Sequence, residues 1–492
     1  MTSTTTQRGA KKERTFLGQP WGLANLFGVE MWERFSFYGM QAILAYYIYF
    51  KVTEGGLGQE KSAALSIVGA YGGFVYMMAL TASFVADRIL GPERTLFYSA
   101  IVVMSGHIVL AFIPGMGGLA LGLVLIGLGS GGVKTAAQVV LGQLYDRQDP
   151  KRDAGFSIFY LGVNIGALFG PALVGVVRES SGFHWGFGLA AIGMAFGLAQ
   201  YAAMRRTTIA AAGREVPNPL PRSKYPALIV GTLVLVVVVV AVIAGGLIPL
   251  KYLSTITAGI ALVAAVVLIT QMCTSPLTTA VEKSRLIGFI PMLVGCVLFF
   301  ALFQSQFTVL AVYAESHLNR HILGFEIPAA SVQSINPVFI IIFSLVFAGI
   351  WTKLGDRQWS TPMKFGIANI IIGLSMFVFL PFAGGGENST PFLVIVLILF
   401  LFTMGELLLS PVGNSLATKV APEAFQSRTF AVWLMAISMG SSLAGTLGTM
   451  WDPSTKSSES AFYISVGVAA ILLGAVLLAL RPWILRKFVD VR

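Results

Sequence analysis

The sequence predicts an all-α integral membrane protein with fourteen transmembrane helices. Of the 492 residues, 56% are hydrophobic and only 11% are charged, and the mean hydropathy is +0.79. This composition excludes a soluble globular protein. A transmembrane helix needs about 20 mostly apolar residues. Fourteen such stretches occur, and they are centred near residues 36, 75, 104, 129, 165, 193, 235, 261, 299, 340, 372, 405, 437 and 472.

The basic residues indicate how the chain is oriented in the membrane. When fourteen helices are threaded from a cytoplasmic N-terminus, most of the 33 Lys and Arg residues fall on cytoplasmic segments, as the positive-inside rule requires. Arg34 and Lys134 fall inside the membrane. The net charge of +11 therefore reflects topology, and no nucleic-acid partner is expected. We expect a multi-pass protein of the cell's inner (plasma) membrane with both termini in the cytoplasm.

A weak internal repeat divides the helices into two groups. Asp87-Arg88 ends the second helix, and Asp356-Arg357 ends the second helix of the other half. The same acid–base turn at the same place suggests parallel six-helix repeats. A proline-rich linker and two extra apolar helices lie between them, and we expect both extra helices to face lipid. The predicted segments are a cytoplasmic tail over 1–20, an N-terminal six-helix bundle over 21–206, a cytoplasmic linker over 207–224, two inserted helices over 225–273 and a C-terminal six-helix bundle over 286–487.

Three charged residues, Glu30, Glu33 and Arg34, lie inside the first apolar stretch. Spacings of three and four place them on one helical face, which Tyr38 and Gln41 continue. A charge at mid-bilayer depth is costly and usually marks an ion or substrate path. A structural ion pair between helices is the alternative. Two acids beside one base leave a surplus carboxylate, which a purely structural pair does not need.

Lys134 and Glu406 also lie too deep in the membrane to reach water. Lys134 lies about 18 Å from the end of its helix, given the helical rise per residue, which is too far for a lysine to extend comfortably to the interface. Glu406 is similarly far from Lys419. A lone buried carboxylate requires a cation. We expect that partner to be Lys134 when the cavity is empty and a substrate ammonium when it is full.

Three motifs together resemble one known family. Glu30-x-x-Glu33-Arg34-Phe35-x-x-Tyr38, the segment 156–168 and the segment 405–413 are similar to the first-, fifth- and tenth-helix signatures of the proton-dependent oligopeptide transporters. That family is the peptide transporter branch of the major facilitator superfamily. The resemblance covers nearly the whole chain. It implies two six-helix bundles of the major facilitator type, and prokaryotic members of the family also carry two extra helices.

The resemblance implies roles for individual residues. In the family, Arg34 and Lys134 would attract a peptide carboxylate, and Glu406 would attract the ammonium. The implied substrate-binding set is Arg34, Tyr38, Tyr71, Lys134, Asn164, Asn336, Glu406, Ser410 and Trp433. The implied proton-coupling set is Glu30, Glu33, Arg34 and Glu406. The gate residues are Gln41, Gln304, Lys134 and Glu406. Many members pair an arginine with a glutamate at the positions of Gln41 and Gln304, so we expect a neutral contact there.

The expected function is a proton-coupled symporter that imports di- and tripeptides by alternating access between the two bundles. The proton would be the coupling ion, the protein would work as a monomer, and no cofactor, metal or catalytic residue is expected. A related transporter of nitrate or another small solute is the alternative, although the surplus charge of Glu30 and Glu33 would repel anions. A membrane enzyme with an intramembrane carboxylate site is a second alternative.

Overall fold

The computed structural model describes residues 14–146, 149, 151–209, 213–216, 218–322 and 324–489. Most of the predicted tail, including Arg8, Lys11 and Lys12, and parts of the predicted linker, including Pro217, lie outside the described residues, as does Arg147 between the fourth and fifth predicted helices. The described chain is almost entirely α-helical. Its helices are α1 (Trp21–Tyr49), α2 (Lys61–Val85), α3 (Pro92–Phe112), α4 (Gly115–Gln143), α5 (Arg152–Ser181), α6 (Phe183–Thr208), α7 (Tyr225–Ala244), α8 (Leu253–Thr274), α9 (Ala280–Phe303), α10 (Val309–Ser316), α11 (Ile335–Leu354), α12 (Thr361–Phe377), α13 (Phe392–Lys419), α14 (Gln426–Met450) and α15 (Lys456–Phe488).

Two short hairpins are the strand pairs of the described residues. Strands β1 (Thr15–Phe16) and β2 (Gln19–Pro20) pair antiparallel just before α1. Strands β3 (His321–Ile322) and β4 (Phe325–Glu326) pair antiparallel after α10. Both hairpins lie outside the membrane spans, next to their ends, and the described spans contain no strands.

The fifteen helices form fourteen spans because α9 and α10 are one interrupted span. A 3₁₀ turn over Gln304–Phe307 separates them, and Thr308 leaves helical geometry with φ −117° and ψ −96°. Thirteen spans of the described chain are long and apolar enough to cross a membrane. The other span, α1, has 29 residues but is more polar because of its charged turn. The predicted fold class, a fourteen-helix membrane protein, is confirmed.

Small residues hold α1 tightly against α5, and this contact positions the charged turn of α1. A Cβ added to Gly166 would overlap the Met31 carbonyl and meet the Arg34 Cβ at 3.0 Å. A Cβ added to Gly170 would overlap the Phe35 carbonyl. Glycine therefore allows the two backbones to touch, which is a common basis for close helix packing in membranes.

The two bundles meet at the middle of the membrane and at the side predicted to be external. Three hydroxyl groups donate to backbone carbonyls across this interface. Tyr46 of the first bundle donates to Ala311 at 2.8 Å, and from the second bundle Ser334 donates to Leu168 at 2.6 Å and Ser438 to Gly73 at 2.8 Å. Tyr46 lies near the outer end of α1 and Ser334 just precedes α11. The structure is therefore closed on this side, which we call the outer side because it is predicted to be external.

The two inserted helices have different surroundings. Helix α7 is exposed along its length, as expected for a helix that faces lipid. Helix α8 packs against α2 of the first bundle and α14 of the second, and it buries Ala261 and Met272 completely. The prediction that both inserted helices face lipid therefore holds for α7 and for one face of α8, whereas the other face of α8 packs on both bundles. Uniform apolarity in the sequence could not separate the two, because lipid and protein neighbours favour the same residues.

Candidate functional site

The charged turn of α1 forms a buried cluster around one arginine. Arg34 Nε lies 2.9 Å from Glu30 Oε1 and 2.9 Å from Glu33 Oε2. The hydroxyl of Ser130 on α4 donates a short hydrogen bond to the other carboxylate oxygen of Glu33. Glu30, Glu33 and Arg34 are at most 4% exposed. The Arg34 Nε–H donates a hydrogen bond to Glu30 and lies at ion-pair distance from Glu33, so one arginine faces two carboxylates.

Several buried polar atoms around this cluster have no hydrogen-bond partner among the described residues. They are Arg34 Nη2, Glu30 Oε2, Glu33 Oε2 and Tyr71 OH. Gln41 Oε1, farther along α1, and Ser410 Oγ, on α13 of the second bundle, are unpaired among these residues as well. Leaving a buried polar group unpaired is costly. Unused hydrogen-bonding capacity at this depth is what a site for a polar ligand needs.

Aromatic rings lie beside the arginine and reach the second bundle. The Arg34 guanidinium carbon lies 5.5 Å from the centre of the Phe37 ring, and Phe37 stacks on Tyr71 with ring centres 5.9 Å apart. Tyr38 stacks on Phe307 of the second bundle at 6.2 Å. Tyr38 therefore lies where the bundles meet, next to the charged turn. The structure thus brings the predicted residues Arg34, Tyr38 and Tyr71 together.

Lys134 lies over an aromatic ring and makes no ion pair with Glu406 in the described structure. Its Nζ is 4.4 Å from the centre of the Tyr76 ring, within the range of a cation–π contact. The expected Lys134–Glu406 partnership is therefore absent from this conformation. Tyr76 was missed by the sequence reasoning. Tyr71 and Tyr76 both lie on α2, and no pattern in the sequence indicated which of them faces Lys134.

Glu406 and Asn336 form the site on the second bundle. Asn336 Nδ2 donates to Thr403 Oγ1 at 2.9 Å and lies 3.4 Å from Glu406 Oε2. Thr403 and Glu406 are three residues apart on α13, so both face α11. The structure brings together the carboxylate and the amide that the resemblance implied for an ammonium. Their role in binding stays a prediction.

Two predicted substrate-binding residues are engaged elsewhere. Asn164 donates to the Tyr160 carbonyl of its own helix at 2.8 Å. Trp433 is fully buried, and its indole N–H donates to Asn414 Oδ1 at 2.7 Å. A Cβ added to Gly413 would overlap the Trp433 ring. In this conformation Trp433 is therefore part of the core of the second bundle and does not form the wall of an open cavity.

The predicted outer gate pair is not formed. Gln304 Nε2 donates to Ser441 Oγ at 3.2 Å, and no hydrogen bond joins it to Gln41 among the described contacts. The expected neutral contact between Gln41 and Gln304 is therefore not formed as a hydrogen bond in this conformation. Gln304 begins the 3₁₀ turn between α9 and α10, and this turn directs its side chain to α14. Sequence spacing alone could not predict that break.

A charged contact joins the bundles at the outer surface. Arg320 Nη1 lies 3.4 Å from Glu179 Oε1 of α5, and Arg320 Nη2 lies 2.9 Å from Glu326 Oε1. These residues line an open polar depression of about 450 Å³. This ion pair was missed by the sequence reasoning, which assigned Arg320 only to an outer loop.

Known proteins match this chain over nearly its full length. A sequence model described as PTR2, POT family, matches residues 93–464. The chain is 38% identical over 475 residues to the uncharacterized transporter YclF of Bacillus subtilis (strain 168), and the alignment covers 96% of each chain. It is 38% identical over 498 residues to a di-/tripeptide transporter of Lactococcus lactis subsp. cremoris, and this alignment covers 98% of this chain and 99% of that protein.

Solved structures agree with these matches. A crystal structure of peptide transporter POT in complex with sulfate has a TM-score of 0.90 and 39% identity, and the match covers 96% of this chain and 97% of that chain. A crystal structure of a POT family transporter in complex with 5-aminolevulinic acid has a TM-score of 0.88 and 34% identity, covering 96% and 98% of the two chains. The resemblance to the oligopeptide transporters is confirmed, and this multi-pass membrane protein belongs to the POT family of transporters.

Proposed function

We propose that this protein is a symporter of the plasma membrane that imports di- and tripeptides together with protons, with both termini in the cytoplasm. It would work as a monomer by alternating access between the two bundles and would need no cofactor. The observation that carries the proposal is the bonding of Arg34. Its Nε is shared by Glu30 and Glu33, while its Nη2 has no hydrogen-bond partner among the described residues.

The free side of Arg34 suits a carboxylate. A guanidinium offers parallel N–H donors that match the two oxygens of a carboxylate. Lys134 supplies a second cation in the same bundle, and its contact with Tyr76 leaves it without a carboxylate partner in the described structure. The carboxyl end of a short peptide would therefore bind to the first bundle.

The second bundle offers the opposite charge. Glu406 and Asn336 present oxygen acceptors at mid-membrane depth, and an ammonium group would replace the weak 3.4 Å contact between them with stronger charge-assisted bonds. A zwitterion held at both ends would draw the bundles together. Fixed charges at both ends favour peptides of two or three residues.

Binding of the peptide would control the proton. A neighbouring cation favours the ionised carboxylates of Glu30 and Glu33. A peptide carboxylate that bonds to Arg34 weakens that support, so one glutamate takes up a proton. Each pH unit across the membrane supplies about 1.4 kcal/mol, and 100 mV supplies about 2.3 kcal/mol per charge.

Uptake by proteoliposomes tests the proposal. A labelled dipeptide should accumulate when the outside is acidic and should only equilibrate when the pH is equal on both sides. Labelled nitrate, measured in the same vesicles, should not accumulate. Accumulation of nitrate without the dipeptide would favour the alternative solute class. If the dipeptide only equilibrates even when a pH gradient is present, proton coupling is contradicted.

A further inference from the structure

The outer end of inserted helix α8 is bonded to the first bundle through one serine. The Ser254 N–H donates to Ser66 Oγ at 3.0 Å, and the Ser66 hydroxyl lies 3.1 Å from Ser254 Oγ. Both serines are completely buried. Ser254 belongs to the first turn of α8, where backbone N–H groups have no partner within the helix. Ser66 of α2 therefore caps α8 from a different part of the fold.

Helix α8 is bonded to the second bundle at both of its ends. At the outer end Ser254 Oγ lies 3.0 Å from Thr446 Oγ1 of α14, and Thr255 lies 3.1 Å from the same atom. At the inner end the Thr429 hydroxyl donates to the Met272 sulfur at 3.5 Å. Two separated contacts with α14 fix α8 to the second bundle, whereas its hydrogen bond to α2 lies at the outer end.

The two bundles touch directly beside this contact. A Cβ added to Gly69 of α2 would lie 2.5 Å from the Gly445 backbone of α14, and one added to Gly445 would meet Ser254 Cβ at 3.1 Å. Side chains larger than hydrogen are excluded here, so α2, α14 and the start of α8 form one tightly packed junction. The junction lies on the outer side, where the structure is closed.

We propose that α8 is a clamp that favours the outward-closed state, and this inference rests on the proposed alternating access. When the outer ends of α2 and α14 separate, α8 moves with α14 and leaves Ser66. The buried Ser254 N–H then loses the Ser66 oxygen that accepts its hydrogen bond in the closed state. Opening the outer side therefore carries a cost that the two six-helix bundles alone would not impose.

A distance measurement between spin labels tests the clamp without relying on transport. The labels are placed on Lys61→Cys at the outer end of α2 and Met450→Cys at the outer end of α14, after Cys273→Ser and Cys296→Ala. Both label positions are exposed. Ser66→Ala should increase the population with the long distance several-fold. The matched control is Ser83→Ala, because that hydroxyl donates within α2 to the Ala79 carbonyl. Equal populations in Ser66→Ala and the parent would overturn the clamp.

A cross-link between the two serine positions provides a second test. Ser66→Cys with Ser254→Cys places two thiols where hydroxyl oxygens are 3.1 Å apart. Oxidation to the disulfide should hold the labels at the short distance and abolish dipeptide uptake, and a reductant should restore both. Full uptake by completely cross-linked protein would show that α8 moves with α2, which overturns the proposal. If the distances shift as expected but no proton-driven uptake is seen in any variant, the proposed function fails and the clamp stands.

Discussion

At the scale of single residues, the site contains more negative charge than its arginine can neutralise. Glu30 and Glu33 both use the Nε atom of Arg34, and Glu33 has additional support from Ser130. The two carboxylates are therefore not equivalent, which their spacing in the sequence does not show. Replacing Glu30 and replacing Glu33 should therefore have different effects, because only Glu33 bonds to a neighbouring helix in this structure.

The first prediction concerns Glu33, the carboxylate that contacts both Arg34 and Ser130. Glu33→Gln removes a proton acceptor and the negative charge but nearly keeps the shape of the side chain, and its remaining oxygen can still accept a hydrogen bond from Ser130. In the parent protein, one pH unit supports about tenfold accumulation of a dipeptide per coupled proton. We expect Glu33→Gln to lose this accumulation, so that the dipeptide only reaches equal concentrations on both sides. Exchange of internal for external peptide should continue.

Ser130→Ala is the matched control for this experiment. It removes the hydroxyl that donates to Glu33 but leaves the carboxylate able to take up a proton. It should therefore retain accumulation. Normal accumulation by Glu33→Gln would show that this glutamate does not carry the coupled proton.

The second prediction concerns recognition of the ammonium group by Glu406. Acetylating the amino end of a dipeptide should weaken its binding to the parent protein by about 5- to 150-fold, because a charge-assisted hydrogen bond is lost and its partner stays buried. Glu406→Gln should lose most of this discrimination. Binding competition with a labelled dipeptide measures both proteins. Unchanged discrimination in Glu406→Gln would mean that another group recognises the ammonium.

The third prediction concerns the pH dependence of uptake. His317 lies just beyond the end of the α9–α10 span, stacks on Tyr313 with ring centres 4.9 Å apart and is buried. Burial lowers the pKa of His317 below its ordinary value of 6.5, so the ring is neutral at and above that pH. His317→Phe should leave the pH profile of uptake unchanged. A shifted profile would show that His317 takes part in proton sensing.

At the scale of elements, the interruption between α9 and α10 decides how the outer side closes. The break turns Gln304 toward α14, and it leaves α10 as a short helix that packs against the outer end of α1. Tyr46 and Arg320 then make contacts between the bundles that a continuous helix would not provide in the same places. The neutral glutamines predicted as a gate do not bond to each other in this arrangement.

The fourth prediction compares two of the contacts that hold this outer side closed. The Tyr46 hydroxyl is completely buried and donates to the Ala311 carbonyl at 2.8 Å, so Tyr46→Phe should favour outward opening by about 1 kcal/mol, or about fivefold. Arg320 and Glu179 are partly exposed, so Arg320→Gln should change the same equilibrium by less, since such ion pairs contribute about 0–1 kcal/mol.

Spin-label distances across the outer side measure both variants, with the labels at the same positions as in the test of α8. High salt should reduce the small effect of Arg320→Gln and leave that of Tyr46→Phe unchanged. A larger effect from Arg320→Gln than from Tyr46→Phe would reverse the proposed ranking.

At the scale of the whole molecule, the positions of the basic residues predict the orientation of the fourteen spans. The fifth prediction is that Val52→Cys, 74% exposed after α1, reacts in intact cells with a maleimide that cannot cross the membrane. Lys151→Cys, exposed between α4 and α5, should react only after the cells are opened. Cys273→Ser and Cys296→Ala remove the background thiols. The opposite labelling pattern would place the N-terminus outside.

The sequence by itself determined the class of the protein, the number of spans, the family and the charged residues of the site. Each depends on a local property. Lipid requires about 20 apolar residues per span, so spans can be counted, and intramembrane charges such as Glu33, Lys134 and Glu406 are conspicuous because they are costly there.

Only the tertiary structure decided which of these residues meet. The pairing of Asn336 with Glu406 joins α11 to α13, and the cap of Ser66 on α8 joins residues that are far apart in the chain. Lys134 contacts Tyr76, Trp433 is buried in the core, and Gln304 bonds to Ser441. Periodicity shows which face of a helix is polar, but the direction of that face depends on packing with distant helices. In a membrane, lipid-facing and protein-facing surfaces are equally apolar, so the sequence carries little information about that packing.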